Sequence, residues 1–242
     1  MKIIDAFWEK RNLGIETKEI ILSADDTLLD IDTFLNSLSS EKQYIVIKMP
    51  VGKLDFIKFL TEKGFYFVES LFEMSIRIET FHLPASLKRF DDMLFYDNLT
   101  TDNALKRLEK EIQKGIFTTD RIALDKNFGI DVAAMRYVNW IKDEMKKGSE
   151  VFEILYKENP IGFFTLKKLS NGNYDNFLSG MYRDERNIGF GFSIISKPIL
   201  ELKRRKAFLY VSHVSSNNLP ALRLANSFGF LLEDISYVMI KI

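Results

Sequence analysis

The sequence predicts an α/β protein, because short β-type runs alternate along the chain with runs that carry apolar residues at helical spacing. The chain has 242 residues and 46% of them are hydrophobic, which suffices for one large core or two modest ones. A polar, proline-containing stretch at 81–86 is the best boundary. It predicts a small N-terminal α/β domain over 1–80 and a larger domain over 81–242.

The charge balance and the cysteine content argue against several classes of function. Lys+Arg and Asp+Glu number 34 each, so the chain lacks the basic excess that nonspecific nucleic-acid binding requires. The absence of cysteine excludes disulfides, thiolate nucleophiles and cysteine-ligated metals. The histidines, His82 and His213, lie far apart in sequence, which argues against a histidine-rich metal site. We therefore expect neither a nucleic-acid partner nor a metal.

The sequence predicts a cytoplasmic protein without a membrane partner. Its N-terminus lacks the long apolar stretch of a signal peptide. No uninterrupted apolar run approaches the length that crosses a bilayer.

Strands and helices alternate in the N-terminal domain. Asp25 and Asp26 are candidate N-caps of its first helix, and Gly64 is a natural stop for the second, because glycine readily takes the left-handed conformation. The aromatic and charged segment 7–14 looks turn-like. The predicted elements are strands at 20–22 and 44–48, helices at 28–38 and 54–60, and extended chain over 65–78.

Part of this domain repeats the layout of the C-terminus. Segments 44–78 and 209–242 both run strand, loop, helix, Gly-Phe, strand, with the Gly-Phe pair at 64–65 and at 229–230. We interpret the first segment as a degenerate half-copy of the second; the alternative is that this local pattern is simply common. It has Lys53 where the second segment has an asparagine, so we expect it to bind no cofactor.

The C-terminal domain continues the alternation. A polar stretch at 100–103 caps one predicted helix, and Asp131 is the candidate cap of the next. The predicted helices span 104–112, 131–147 and 192–202, with one more ending at Gly229, and the predicted strands span 150–156, 161–169, 174–182 and 206–211, with a last one running to Ile242.

A glycine-containing turn joins strand 174–182 to helix 192–202. Its two glycines allow the backbone to approach a ligand without a Cβ in the way. The helix start offers unpaired N–H groups and the positive end of a dipole, which suit phosphate oxygens, and an arginine adds a fixed charge. The turn therefore predicts a phosphate-binding site formed by Arg186, Asn187, Ile188, Gly189, Phe190 and Gly191.

Two motifs, this turn and a segment one strand later, resemble those of the GCN5-related N-acetyltransferases (GNAT). That family carries Arg-x-x-Gly-x-Gly at the start of one helix and, a strand later, Asn-x-x-Ala-x-x-Leu followed by Gly-Phe. The resemblance implies a mixed central sheet that splays open at the cofactor strand, acetyl-CoA as acyl donor and a small amine as acceptor. The residues that carry it are Arg186, Gly189, Gly191, Asn218, Ala221, Leu224, Gly229 and Phe230.

The resemblance also implies roles for individual residues. The backbone of Met181 and Tyr182 would hydrogen-bond to the pantetheine arm, and Asn218 would reach the same arm. Loops carry function more often than their share of the chain, and the segment between the first two helices of the C-terminal domain would face the acceptor.

The candidate acceptor contacts also have structural interpretations. Tyr137 and Trp140 would otherwise be core residues, and Arg121 a solvated loop charge. Trp8 would form one wall of an acceptor pocket or belong to a packed N-terminal arm. The full set of candidates is Phe117, Arg121, Tyr137, Trp140 and Trp8.

One position departs from the family pattern. Many members have a tyrosine directly after the motif leucine, where it protonates the leaving thiolate, and this chain has Ala225 there. Either another group or water supplies that proton, or the domain binds acyl-CoA without turnover. Tyr182, His213 and Ser215 are the candidate catalytic substitutes, and His213 could serve as base unless it is a structural histidine at a strand end.

The overall layout further resembles the dTDP-fucosamine acetyltransferases. The shared features are a Trp-Glu at 8–9 followed by Gly14, a Gly-Phe at 64–65, and an acceptor-side segment at 117–143. This resemblance implies acetyl transfer to the 4-amino group of a dTDP-linked deoxysugar. The alternatives are a peptide or protein amine as acceptor, and a non-catalytic acyl-CoA-binding module. An edge strand near the C-terminus could pair two subunits, so a homodimer is one expected state.

Overall fold

The computed structural model of the protein describes residues 1–38, 42–184 and 189–242. Helices and strands alternate along it, which confirms the predicted α/β class. The strands are β1 (Lys2–Asp5), β2 (Glu16–Ile21), β3 (Gln43–Pro50), β4 (Tyr66–Arg77), β5 (Leu94–Asn98), β6 (Glu150–Tyr156), β7 (Asn159–Lys168), β8 (Tyr174–Asn176), β9 (Ser179–Met181), β10 (Leu209–Ser215) and β11 (Leu231–Lys241). The α-helices are α1 (Phe7–Leu13), α2 (Leu28–Ser37), α3 (Leu54–Glu62), α4 (Ala85–Asp91), α5 (Asp102–Gln113), α6 (Ile130–Lys146), α7 (Ser193–Arg204) and α8 (Leu219–Ser227).

The first of two compact units contains Met1–Phe72, Ser215–Asn217 and Asp234–Ile242. Its strands β1, β2, β3 and β11 neighbour one another in that order. The β2–β3 pair is parallel and the pairs on either side of it are antiparallel, so the strands of this unit are mixed in direction. Four consecutive residues of β3, 44–47, are buried, as expected for a strand covered on both faces.

The second compact unit contains Glu73–Val214 and Asn218–Glu233. Its strands follow the order β10, β8, β7, β6 and β5, with β9 pairing β7 beside β8. Only β10 and β8 run parallel in this series, so the strands of this unit are mixed in direction as well. A buried cluster that includes Leu108, Ile141 and Phe163 joins α5 and α6 to this sheet.

The boundaries of these compact units differ from the domain ranges 1–80 and 81–242 that the sequence predicts. The last nine residues of the chain, Asp234–Ile242, belong to the first unit. The reason is that β11 pairs with β3 from Ser236 to Lys241, a contact between residues almost two hundred positions apart. The ranges 1–80 and 81–242 stay a prediction about independently folding domains.

The start of α2 corrects one predicted cap. Thr27 is the N-cap: its side chain accepts from the Asp30 amide at 3.3 Å, and Asp30 Oδ2 accepts from the Thr27 amide at 2.8 Å. This reciprocal capping box satisfies two helix-end donors, so the predicted caps Asp25 and Asp26 are wrong. Asp26 instead accepts from the Ser23 amide at 2.6 Å.

Two further local predictions differ from the structure. The N-cap of α6 is Gly129, and the predicted cap Asp131 lies in the first helical turn. Segment 7–14 is not a turn but the short helix α1, which ends at Gly14 with a φ of 70°. The predicted glycine stops are confirmed, since Gly64 and Gly229 follow α3 and α8 with φ of 85° and 81°.

Candidate active site

The strand predicted over 174–182 is broken in two by a β-bulge. On β8, Asp175 pairs with Lys167 of β7, whereas on β9, Ser179 pairs with Phe164. The register therefore shifts by one residue, and 177–178 contains one residue more than the facing strand. A continuous apolar pattern cannot reveal such a shift, because it depends on the partner strand.

Buried polar side chains hold the bulge in place. Thr165 Oγ1 accepts from the Leu178 amide at 3.0 Å and donates to the Leu178 carbonyl at 2.9 Å. The Asn176 amide satisfies all its neighbours when its oxygen faces Tyr210 Oη at 2.8 Å and Ser179 Oγ at 3.0 Å. Thr165 and Asn176 are 0% and 7% exposed, so water cannot reach the backbone groups that the bulge removes from strand pairing. The two side chains form hydrogen bonds with these groups instead.

Replacing Thr165 with valine should therefore destabilise the protein by about 2 kcal/mol, because it leaves the buried Leu178 N–H without an acceptor at unchanged volume. Urea unfolding measures the effect. Thr61→Val is the matched control, since the Thr61 hydroxyl bonds to a helix carbonyl at an exposed position. Equal stability of the two variants would contradict the role assigned to Thr165.

Past the bulge, the backbone of β9 faces an opening in the sheet. The Tyr182 amide donates to the Ile161 carbonyl at 2.8 Å. In an antiparallel pair, the residues whose backbone groups point toward the partner strand alternate with residues whose groups point away, so this bond fixes which residues of β9 face β7. Ser179 and Met181 are then the residues whose N–H and C=O groups point away from β7. On that side β10 pairs with β8 only at 210–212, so a fork opens between β9 and β10. Among the two predicted pantetheine contacts, Met181 thus presents its backbone and Tyr182 uses its N–H within the sheet.

The turn after β9 leads into α7. Gly189 has a φ of 94°, which L-residues rarely adopt, and neither Gly189 nor Gly191 would place a Cβ within 4 Å of a described atom outside its own chain neighbours. Phe190 packs its ring against Tyr156 with centroids 4.9 Å apart. No described side chain caps the start of α7, and its first turn has no acidic residue. The predicted phosphate contacts that lie outside the described residues are Arg186, Asn187 and Ile188.

His213 lies at the fork, one residue past the last β10 residue that pairs with β8. Its Nδ1 is 3.6 Å from Asp175 Oδ1, and its Nε2 is 3.4 Å from Glu73 Oε2. The Asp175 carboxylate, with Glu73 contributing, raises the pKa of the imidazole above its ordinary value. Reasoning from sequence missed both carboxylates, since neither lies near His213 in the chain.

Tyr182 is tied into a buried network. Its Oη donates to Glu153 Oε1 at 2.8 Å, and Arg107 bonds both oxygens of the same carboxylate. Burial, and then the Glu153 charge, raise the pKa of the Tyr182 phenol. A buried phenol beside a carboxylate is a weak proton donor, which argues against Tyr182 as the acid for the thiolate.

Other predicted residues have local structural contacts. Asn218 is the N-cap of α8, with Oδ1 accepting from the Ala221 amide at 3.2 Å, and Ala225 is 5% exposed in that helix. Ser215 belongs to the first unit, where its Oγ accepts from the Asn217 amide at 3.2 Å. Trp8 belongs to the same unit and is 39% exposed on α1.

Three predicted acceptor residues come together in the second unit. Phe117 and Tyr137 have ring centroids 4.5 Å apart, and Tyr137 and Trp140 stack at 6.3 Å. Trp140 then contacts Phe177, a residue of the bulge, at 5.3 Å. The cluster is part of the buried core of the unit, so the core-packing interpretation describes Tyr137 well. Arg121 is half-buried in the segment between α5 and α6.

The aromatic cluster and His213 lie on one face of the sheet. Asp175 is paired in register with Lys167 and with Val211, so these side chains share a face. His213 shares it too, two residues after Val211. Lys167 Nζ reaches Glu144 of α6 at 2.8 Å, so α6 covers that face. On this face of the sheet, the fork therefore lies next to the imidazole of His213 and near Phe177 and Trp140.

Two features are absent from the described residues. No helix there is long and apolar enough to cross a membrane. No group of three histidine, aspartate or glutamate side chains in this part of the chain could hold a metal ion.

No protein-family model and no curated protein matches the sequence. Solved structures match the fold. A GCN5-related N-acetyltransferase from Sphaerobacter thermophilus has a TM-score of 0.65 and 10% identity, over 99% of this chain and 75% of that one. A tandem GNAT protein from the clavulanic acid biosynthesis pathway has a TM-score of 0.56 and 11% identity, over 94% and 75%.

A third match is a GCN5-related glucosamine N-acetyltransferase region of a fungal multi-domain GH3 β-N-acetylglucosaminidase. It has a TM-score of 0.64 and 11% identity, over 99% of this chain and 31% of that one. At such identities the likeness concerns the fold, and this chain has the fold of the GCN5-related N-acetyltransferases.

Proposed function

We propose that the protein is an acetyl-CoA-dependent N-acetyltransferase that acts on the amine of a small acceptor. The observation that carries this proposal is the fork between β9 and β10, into which Ser179 and Met181 present backbone N–H and C=O groups. An extended pantetheine arm carries amide groups that can pair with such an edge. The GNAT fold of the chain supports the same donor.

The residues around the fork fit acetyl-CoA. Met181 and Ser179 would bond the pantetheine arm, and the turn at 189–191 with the start of α7 would receive the diphosphate. The described residues leave room for it, because none of them would lie within 4 Å of a Cβ at Gly189 or Gly191, chain neighbours aside. The bound donor supplies a thioester carbonyl for attack by the amine.

The side chains at the fork would handle the proton of the acceptor. His213 Nε2 would take a proton from the ammonium group, which frees the nitrogen lone pair. The amine nitrogen then bonds to the carbonyl carbon while the bond from that carbon to sulfur breaks. The second proton of the nitrogen passes to the departing sulfur, and His213 returns its own to solvent through its exposed edge.

The acceptor class that we propose is a nucleotide-linked amino-deoxysugar, such as a dTDP-linked 4-amino sugar. Sugar rings stack on aromatic side chains, and the half-buried rings of Phe117, Trp140 and Phe177 lie beside the bulge and β9. The fungal region of the same fold is itself named as a glucosamine N-acetyltransferase. The Trp-Glu, Gly and Gly-Phe features of the sequence agree with this class.

The direct test is release of free CoA thiol from acetyl-CoA in the presence of different amines. The panel contains a dTDP-linked 4-amino sugar, glucosamine, a peptide with a free N-terminus and a lysine peptide. Turnover with the sugars supports the proposed class, and turnover with peptides alone would assign the protein to the peptide and protein acetyltransferases.

A non-catalytic acyl-CoA-binding module is the second candidate. It is favoured by the buried Ala225 at the place of the family tyrosine and by the engagement of Tyr182 with Glu153. Thermal stabilisation by acetyl-CoA without thiol release from any amine would support it.

Replacing Gly189 with valine should weaken acetyl-CoA binding about tenfold or more, which corresponds to about 1.4 kcal/mol. A β-branched residue cannot hold this left-handed φ, so the turn must change shape. Isothermal titration calorimetry measures the affinity. Gly172→Val is the matched control, because Gly172 has a φ of 84° and equally open surroundings in the turn before β8. Equal affinities of the two variants would exclude the turn at 189–191 from the donor site.

A further inference from the structure

His213 is held between two carboxylates that come from different strands. Asp175 lies on β8, which pairs with β10, and Glu73 lies in the part of β4 that belongs to the second unit. Among the described residues these two are the charged groups that face the imidazole. Lys167, opposite Asp175 on β7, is held by Glu144 at 2.8 Å.

The two carboxylates differ in accessibility. The Asp175 side chain is 15% exposed, and its Oδ1 is buried without a hydrogen bond to any described residue. The imidazole 3.6 Å away is thus the group that can neutralise it. Glu73 and His213 are 45% and 42% exposed, so a ligand can reach the Glu73 carboxylate and Nε2 from the same side.

Resting on the proposed function, we infer that Asp175 is the positioning residue of the base His213 and that Glu73 binds the ammonium group of the acceptor. The site therefore selects a primary alkylammonium ion whose amine has no anionic group next to it. An α-amino acid places a carboxylate two bonds from its nitrogen, and both Glu73 and Asp175 would repel it. An amine on a sugar ring meets the requirement.

The arrangement also explains how a protonated histidine becomes a base. In the free protein Glu73 and Asp175 stabilise the imidazolium form. When an ammonium ion binds Glu73, two cations share one site and repel each other, so the pair releases one proton at a lower pH. The remaining proton can reside on Nε2, which leaves the amine neutral and able to attack.

The first experiment follows the imidazole signals by NMR as a function of pH and needs no catalysis. The chain contains two histidines, so a His82→Gln variant identifies the His213 signal. Asp175→Asn and Glu73→Gln should each lower the pKa of His213. Adding n-butylammonium chloride should lower it in the wild type and not in Glu73→Gln, with sodium chloride at the same concentration as control. Identical titrations in wild type and Asp175→Asn, or an equal response to butylammonium in Glu73→Gln, would overturn the inference.

The second experiment measures acetyl transfer with the acceptor that the panel identifies. Glu73→Gln should raise the acceptor KM about fivefold while changing kcat little, because an exposed ion pair contributes about 1 kcal/mol. Asp175→Asn should lower kcat and move the acid limb of the pH profile to lower pH. Unchanged KM in Glu73→Gln would refute ammonium binding by Glu73. A wild type that shows the NMR responses but transfers no acetyl group would refute the proposed function and leave the carboxylate pair established.

Discussion

Replacing His213 with glutamine is expected to lower kcat for amine acetylation by about 10²–10⁴-fold, the range that a positioned general base contributes. Glutamine fills a similar volume and keeps hydrogen-bonding groups near Asp175, but it cannot accept the proton of the ammonium ion. Thiol release at saturating acetyl-CoA and acceptor measures the effect. His82→Gln is the matched control, because His82 is exposed and lies far from His213 in the sequence. A His213→Gln variant with the kcat of the wild type would show that another group acts as the base.

The pH dependence gives a second test of His213. Its pKa is raised by Asp175, so the base form, and with it the rate, should increase as pH rises through the raised value. The stability that the imidazolium gains from its carboxylates has the opposite dependence. It is fully present below the ordinary value of 6.5 and is lost as pH rises through the raised pKa. In His213→Gln both dependences should disappear.

Replacing Glu201 with glutamine should destabilise the second unit by about 2 kcal/mol at pH 7, because it removes a buried carboxylate whose hydrogen bonds to charged groups contribute about 1.5–3 kcal/mol. Glu201 is 2% exposed and accepts hydrogen bonds from three side chains. Its partners are Tyr96 at 3.0 Å, Arg204 at 2.6 and 2.9 Å, and Arg205 at 2.6 Å. Urea unfolding followed by Trp140 fluorescence in a Trp8→Phe background reports on this unit. Glu79→Gln is the exposed control.

The stabilisation that Glu201 contributes should decrease as the pH falls. Hydrogen bonding to Arg204 is the main cause that lowers the pKa of Glu201 from 4.5 to about 2. Because the folded-state pKa is lowered, the stabilisation is present above 4.5 and is lost as pH falls toward about 2. The stability gap between wild type and Glu201→Gln should therefore narrow over that range. A gap that is constant from pH 7 to pH 2 would show that the carboxylate charge is not its cause.

The residues around the fork show why sequence reasoning reached only part of the site. The turn at 189–191 was predicted because glycine pairs and helix starts have local signatures. Glu73, Asp175 and His213 come together only because β8 and β4 both flank β10 in the sheet. The same applies to Tyr182, whose phenol donates to Glu153, a carboxylate that Arg107 also binds. Residues so distant in the chain carry no local pattern that links them.

The α/β class, the alternation of helices and strands, and the glycines that end α3 and α8 follow from the amino-acid sequence without any knowledge of contacts. These features depend on the spacing of apolar residues and on the φ preferences of single residues, which act over a few positions of the chain. Three other features are visible only in the folded chain: β11 joins the first unit, Thr165 and Asn176 hold a bulge, and His213 lies between two carboxylates. Each of these depends on strand pairing and register, which are set by contacts between distant residues and not by local preference.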